Sequence, residues 1–108
     1  MAYRVVLTDK AEADVESVLK WFCDQRATDA GGRWYAQLIA KLHTLENHPE
    51  RCPLAAESED VGQEIRELRL GKRRHKYRIL FKISGRSVVI LRVWHGARNS
   101  ITRDDVAE

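Results

Sequence analysis

Residues 65–98 combine side chains that could bind or transform a phosphate group. They include eleven Lys or Arg against a single carboxylate, Glu67, and they end in His95-Gly96-Ala97-Arg98. A guanidinium offers two parallel donors to phosphate oxygens, and an imidazole can take up or release a proton near neutral pH. We therefore expect a basic surface that binds a polyanion or a strongly acidic protein.

The remainder of the chain is acidic and completes a single domain. Outside residues 65–98, eight Lys or Arg stand against fifteen Asp or Glu. A chain of 108 residues has the size of one domain with one hydrophobic core, so we assign 1–108 as one unit. Neither a secretory signal nor a long apolar run is visible. We expect a cytoplasmic protein without a membrane partner.

The apolar periodicity predicts the element order β-α-α-β-β-β. A short strand precedes Thr8, which is the expected N-cap of a first helix with apolar residues at helical spacing. A second helix ends before Pro49, and residues 49–62 are predicted to form a loop. The remaining strands are predicted at 64–70, 77–83 and 88–94, the last two joined by a hairpin turn containing Gly85. The pattern predicts an α+β domain in which a helical hairpin packs on a small, mainly antiparallel sheet.

Several short motifs follow one another along nearly the whole chain. They are Tyr3-Arg4-Val5, Ile65-Arg66-Glu67-Leu68, Tyr77-Arg78-Ile79-Leu80-Phe81 and His95-Gly96-Ala97-Arg98. As an ordered set they resemble the RelE/ParE superfamily of toxins from bacterial type II toxin–antitoxin operons, including plasmid stabilisation modules. The resemblance implies a protein that inhibits growth.

The first mechanism that the resemblance implies is metal-independent mRNA cleavage at the ribosome, as in RelE-like endoribonucleases. Such a site must accept a proton from the 2′-OH, stabilise charge on the phosphate and protonate the leaving oxygen. Arg78 and Arg98 match arginines of RNA-cleaving relatives, and His95 suits either proton role. Glu67, or an acid of the 57–60 segment, could serve as the base. No cofactor is expected.

Each of these residues also has a structural interpretation. Arg78 could be an ion-pair partner, Glu67 could pair with a basic neighbour across the strands, and His95 could cap the backbone. The tail after Arg98 lacks the aromatic residue that several RNA-cleaving relatives carry there. Two alternatives therefore stay open: a ParE-like, non-enzymatic inhibitor of DNA gyrase, and an inactive toxin or nucleic-acid-binding module.

The resemblance also implies a partner, a cognate antitoxin whose acidic or amphipathic segment folds on binding to give a hetero-oligomer. The target would be the ribosome with its mRNA, or DNA gyrase. We expect the antitoxin to cover the basic strand face around Arg78 or the groove between helices and sheet. The residues expected to bind phosphate or a partner are Arg66, Arg69, Lys72, Arg73 and Arg74.

Overall fold

A computed structural model describes residues 2–72, 76–98 and 100–108. Its main elements confirm the predicted order and the α+β class. They are β1 (Arg4–Leu7), α1 (Asp9–Asp24), α2 (Thr28–Thr44), β2 (Arg66–Leu70), β3 (Tyr77–Ser84) and β4 (Ser87–His95). Among the described residues, no helix is long and apolar enough to cross a membrane.

The segment predicted as a loop contains two short helices. A 3₁₀ turn spans Pro49–Arg51, and α3 spans Ser58–Val61. The Ser58 hydroxyl donates to the carbonyl of Ile65 at 2.8 Å and accepts from its N–H at 3.1 Å. These two bonds fix α3 against the start of β2, which a local pattern of polar residues does not reveal.

The four strands form one sheet in the order β1-β4-β3-β2. β1 runs parallel to β4, and the other pairs are antiparallel, so the mainly antiparallel sheet is confirmed. In the β3–β4 register, Tyr77 lies opposite His95 and Arg78 lies opposite Trp94. Because successive side chains point to opposite faces, these two pairs lie on different faces of the sheet.

The sheet is covered on both faces. α1 and α2 cover the helical face, where the core includes Trp34, Tyr77 and Phe81. The other face, called here the outer face, has a second apolar cluster. Its buried members come from the α3 region, from the strands and from the C-terminal segment: Ala55, Val61, Ile65, Leu80, Leu91, Trp94, Ile101 and Val106.

The helical hairpin is positioned by a cap and by a close approach. The Thr8 hydroxyl accepts from the N–H of Ala11 at 3.2 Å, as predicted, and donates to the carbonyl of Leu91 at 3.1 Å. It thereby ties the start of α1 to the sheet. A Cβ atom added at Gly31 would lie 2.9 Å from the Cβ of Phe22, whereas one added at Gly32 would meet nothing within 4 Å.

This contrast gives a paired test of the hairpin. Gly31→Ala and Gly32→Ala gain the same helix propensity, about 1 kcal/mol, but only the first overpacks the contact between the helices. We predict that Gly31→Ala is less stable than Gly32→Ala by about 1–3 kcal/mol, the usual cost of overpacking. Urea denaturation of both variants measures the difference, and equal stabilities would contradict the close approach.

Candidate functional site

The guanidinium of Arg78 is held by two carboxylates on the outer face. Its Nη1 and Nη2 donate to the two carboxylate oxygens of Glu57 at 2.8 and 2.7 Å, and its Nε donates to Glu67 at 2.7 Å. The side chains of Arg78, Glu57 and Glu67 are 19%, 11% and 10% exposed. We call these three residues the Arg78 cluster.

Three separate segments build the Arg78 cluster. Glu67 is contributed by β2, Arg78 by the neighbouring β3, and Glu57 by the residue before α3. Glu57 also accepts from the N–H of Ile101 at 3.2 Å, which attaches the C-terminal segment. The hydrogen bonds from Arg78 are the main reason that the pKa of Glu57 falls from 4.5 to about 2. The same bonds raise the pKa of Arg78.

A second strand arginine is neutralised in the same way. Arg92 donates from Nε and Nη2 to the carboxylate of Asp14 at 2.8 and 2.7 Å. Asp14 also accepts from the N–H of Val93 at 2.9 Å, and Arg92 donates to the carbonyl of Asp105 at 3.1 Å. The acidic partner Asp14 raises the pKa of Arg92. The expected basic strand face is therefore largely compensated at its two central arginines.

His95 and Arg98 lie together at the end of β4, beside α1. The His95 and Tyr77 rings pack in a T-shaped arrangement with their centroids 4.9 Å apart. The Nδ1 of His95 accepts a hydrogen bond from the N–H of Ala97 at 3.0 Å. The guanidinium of Arg98 lies over the Trp94 ring, 3.9 Å from its centroid. A groove of about 420 Å³ separates these residues from α1. We call it the α1–β4 groove; it is lined by Ser17, Val18, Trp21, Tyr77, Val93, His95, Arg98 and Asp14.

The structure brings together only part of the predicted catalytic set. Arg78 and Glu67 are hydrogen-bonded to each other on the outer face. His95 packs on Tyr77, a residue of the helical core, and thus lies on the opposite face. Arg98 lines the same groove as His95. Their catalytic roles stay predictions, while the predicted structural pairing of Arg78 with Glu67 is present.

The described residues among those predicted to bind phosphate or a partner differ in how far their charges are already paired. Arg66 donates to the carbonyls of Glu50 and Cys52 at 3.1 and 2.7 Å, which fixes the 49–52 segment. Arg69 donates to Glu67 at 2.9 Å while remaining 75% exposed. Lys72 is exposed. Arg73 and Arg74 lie outside the described residues.

Arg69 and Lys72 line a second groove, between α2 and β2, called here the α2–β2 groove. Lys41 and Trp34 contribute from α2. Trp34 is 7% exposed, and within the described part of the chain its indole N–H has no hydrogen-bond partner. A buried donor without a partner is uncommon and costs free energy. The groove thus places exposed cations near a tryptophan whose indole N–H is buried and has no partner among the described residues.

Trp21 belongs to the α1–β4 groove but was not predicted as a site residue. It is 50% exposed, and its ring packs edge-on against the Phe22 ring with the two centroids 5.1 Å apart. The available signal was its position off the apolar stripe of α1, since the stripe consists of Ala11, Val15, Val18, Leu19 and Phe22. Tryptophan is enriched among the residues that anchor protein interfaces, and this enrichment makes the exposed position worth testing.

Among the residues that the structure describes, no group of three or more His, Cys, Asp or Glu side chains could hold a metal ion.

Comparison with known proteins gives a family match in sequence and a shared fold in structure. The family model described as the ParE toxin of the type II toxin–antitoxin system, parDE, matches residues 5–100. The protein called Toxin RelE1 of Caulobacter vibrioides is 28% identical over 96 residues, which cover 89% of this chain and 96% of that protein. A solved structure of the chromosomal ParDE toxin–antitoxin system of P. aeruginosa has the same fold, with a TM-score of 0.69 at 18% identity over 87% of this chain and 96% of the other.

The Arg78 cluster gives a pH prediction. Because Glu57 has a lower pKa in the folded protein than in the unfolded chain, its stabilisation is complete at pH 7 and declines as the pH falls from about 5 towards 2. Glu57→Gln should cost up to about 3–5 kcal/mol at neutral pH, because a buried cation loses a partner. The stability gap between wild type and variant should narrow between pH 7 and pH 3.

Urea denaturation at the two pH values measures that gap. Glu59→Gln is the matched control, since Glu59 is exposed and has no ion pair among the described residues. The difference in unfolding free energy between wild type and Glu59→Gln should stay near zero at both pH values. A gap for Glu57→Gln that is constant with pH would contradict the ion pairing.

Proposed function

This chain belongs to the ParE toxin family of type II toxin–antitoxin systems, and we propose that it inhibits growth by binding a protein target without cleaving RNA. The target that the family resemblance favours is DNA gyrase in the cytoplasm, and an antitoxin neutralises the toxin. The observation that carries the proposal is the engagement of Arg78 by two carboxylates.

A role for Arg78 in RNA cleavage would require its guanidinium to face a phosphate. Its five-donor guanidinium already donates three hydrogen bonds to Glu57 and Glu67. A phosphate approaching this site would meet two carboxylates, and releasing Arg78 would leave both of them without their main cationic partner. Breaking a buried ion pair in this way costs about 3–5 kcal/mol. This cost favours a structural role for Arg78.

The separation of the predicted proton donor from Arg78 supports the same proposal. A phosphoryl transfer needs its acid, base and charge-stabilising groups around one phosphorus atom. His95 packs against Tyr77 on the helical side, whereas Arg78 belongs to the outer face. The outer face is also occupied by the chain's own C-terminal segment, through Ile101 and Val106.

RNA cleavage remains the second candidate because His95 and Arg98 line one groove. An imidazole and a guanidinium together can transfer a proton and stabilise a phosphate. A site of this kind would use a base other than Glu67, since Glu67 is bound to Arg78 and Arg69. The third alternative, an inactive toxin or a nucleic-acid-binding module, would neither inhibit gyrase nor cleave RNA.

The α2–β2 groove is the surface that best suits an acidic antitoxin segment. Lys41, Arg69 and Lys72 line it. Complementary charge accelerates the encounter and fixes the register of such a segment. This location matches the expected groove between helices and sheet.

A charge-neutral replacement of the Arg78 cluster tests the proposed mechanism. The variant Arg78→Met, Glu57→Gln, Glu67→Met removes all three charges together, so that no buried charge is left unpaired, and Gln keeps an acceptor for Ile101. Such replacements are often tolerated. We predict that the variant folds, still arrests growth and still inhibits gyrase supercoiling by the purified protein.

Circular dichroism and antitoxin binding serve as controls for the fold of this variant. If the variant is folded but no longer arrests growth, and wild type cleaves mRNA in a translating extract while the variant does not, Arg78 acts on phosphate and the binding mechanism is wrong.

Charge reversal tests the antitoxin surface. Lys41→Glu and Lys72→Glu should each weaken antitoxin binding several-fold at low salt, with a smaller effect at high salt because exposed charges are screened. Arg86→Glu, on the exposed β3–β4 turn, is the matched control and should leave the affinity unchanged. Isothermal titration at two salt concentrations measures the effect, and equal affinities for all three variants would exclude this groove.

A further inference from the structure

We infer that the α1–β4 groove is the docking site for a segment of the toxin's target protein that inserts an apolar or aromatic side chain beside an acidic residue. This inference rests on the proposed function, because it assigns a surface to target binding. The family comparisons assign no residues to target binding. The inference is argued from the residues that line this groove.

The groove offers an apolar contact surface, and one of its walls is the aromatic ring of Trp21. Trp21 is 50% exposed, and the edge-on contact with Phe22 at 5.1 Å restrains its indole. Val18 and Val93 provide aliphatic surface, and Tyr77 forms another aromatic wall. A volume of about 420 Å³ admits one large side chain with neighbouring backbone. A restrained aromatic wall lowers the entropy cost of binding.

Arg98 supplies an available positive charge at the rim. Arg78 and Arg92 are both paired with carboxylates, whereas the exposed Arg98 has no carboxylate partner within the described residues. The contact with the Trp94 ring positions its guanidinium but does not neutralise it. An incoming carboxylate could therefore accept two parallel hydrogen bonds from it.

His95 adds a donor to the same groove. Because its Nδ1 accepts a hydrogen bond from Ala97, the neutral ring carries its proton on Nε2. Nε2 has no hydrogen-bond partner in the described part of the chain, and the ring lines the groove. Ser17 contributes a hydroxyl from the α1 wall. These groups suit the carboxylate and the backbone carbonyls of a peptide.

The charge on α1 distinguishes the possible occupants. The helix carries five carboxylates against two lysines, Lys10 and Lys20. Of these carboxylates only Asp14 is among the lining residues of the groove, and it is paired with Arg92. The net negative charge of the rest of the helix disfavours a long polyanion, such as single-stranded nucleic acid or a uniformly acidic antitoxin segment, that would extend from the groove along α1. A peptide with one acidic residue directed to Arg98 and neutral or basic residues towards α1 fits both walls. The acidic antitoxin segment is instead suited to the basic α2–β2 groove.

The test measures binding of the purified toxin to purified bacterial DNA gyrase. We expect Trp21→Ala and Arg98→Glu each to weaken this binding by on the order of 10-fold or more, as truncation of an interface anchor does, and to weaken growth arrest in parallel. Both residues are exposed, so the fold should persist. Tyr35→Ala, which removes an aromatic ring 43% exposed on α2, and Arg86→Glu are the matched controls and should bind like wild type.

The outcomes separate this inference from the proposed function. If wild type binds gyrase and both groove variants bind equally well, the groove is not the docking site, although the proposed function stands. If wild type does not bind gyrase, the proposed target is wrong, and the inference fails with it. Antitoxin affinity should be unchanged in both variants. Tight binding of a labelled single-stranded oligonucleotide that Trp21→Ala abolishes would overturn the inference in favour of a nucleic-acid site.

Discussion

The double salt bridge of Arg78 organises the outer face of this protein. The positive charge of Arg78 on the central strand β3 must be balanced because apolar residues surround it. The carboxylates of Glu57 and Glu67 balance it by accepting hydrogen bonds of 2.7–2.8 Å from the guanidinium. Through Glu57, the same interaction fixes the residue before α3 and, by the bond from Ile101, the C-terminal segment. One buried charge thereby joins β2, β3, the 49–62 connection and the tail. Its consequence for function is that Arg78, like Arg92, is already paired with a carboxylate and is not free to bind a polyanion.

The sequence was sufficient to predict the architecture because the fold depends on local signals. The Thr8 cap, the helical stripes and the alternation from Tyr77 to Ile83 each report directly on one element. A bulge between Leu80 and Phe81 in the β3–β4 register did not disturb this alternation, because the extra residue lies on β4. The element order and the mainly antiparallel sheet could therefore be predicted, whereas the two short helices in 49–62 depend on distant contacts such as those of Ser58.

The site was less predictable, because charge counts do not reveal which cations are paired. Arg78 and Arg98 look equivalent in the sequence, yet one is enclosed by carboxylates and the other lies on Trp94. Trp34 and Tyr77 connect the two grooves physically, since their rings are 5.3 Å apart and each lines one groove. The molecule thus has a basic groove and an amphipathic groove on either side of a continuous aromatic core, and we propose the first for the antitoxin and the second for the target.

The central claim is that this toxin acts by binding a component of DNA replication and not by cutting RNA. Pulse labelling of new DNA and new protein, minutes after induction in bacteria without the antitoxin, tests it most directly. The account predicts that DNA synthesis falls first, while protein synthesis continues. A fall in protein synthesis that precedes any change in DNA synthesis would contradict it and would return catalysis to His95 and Arg98.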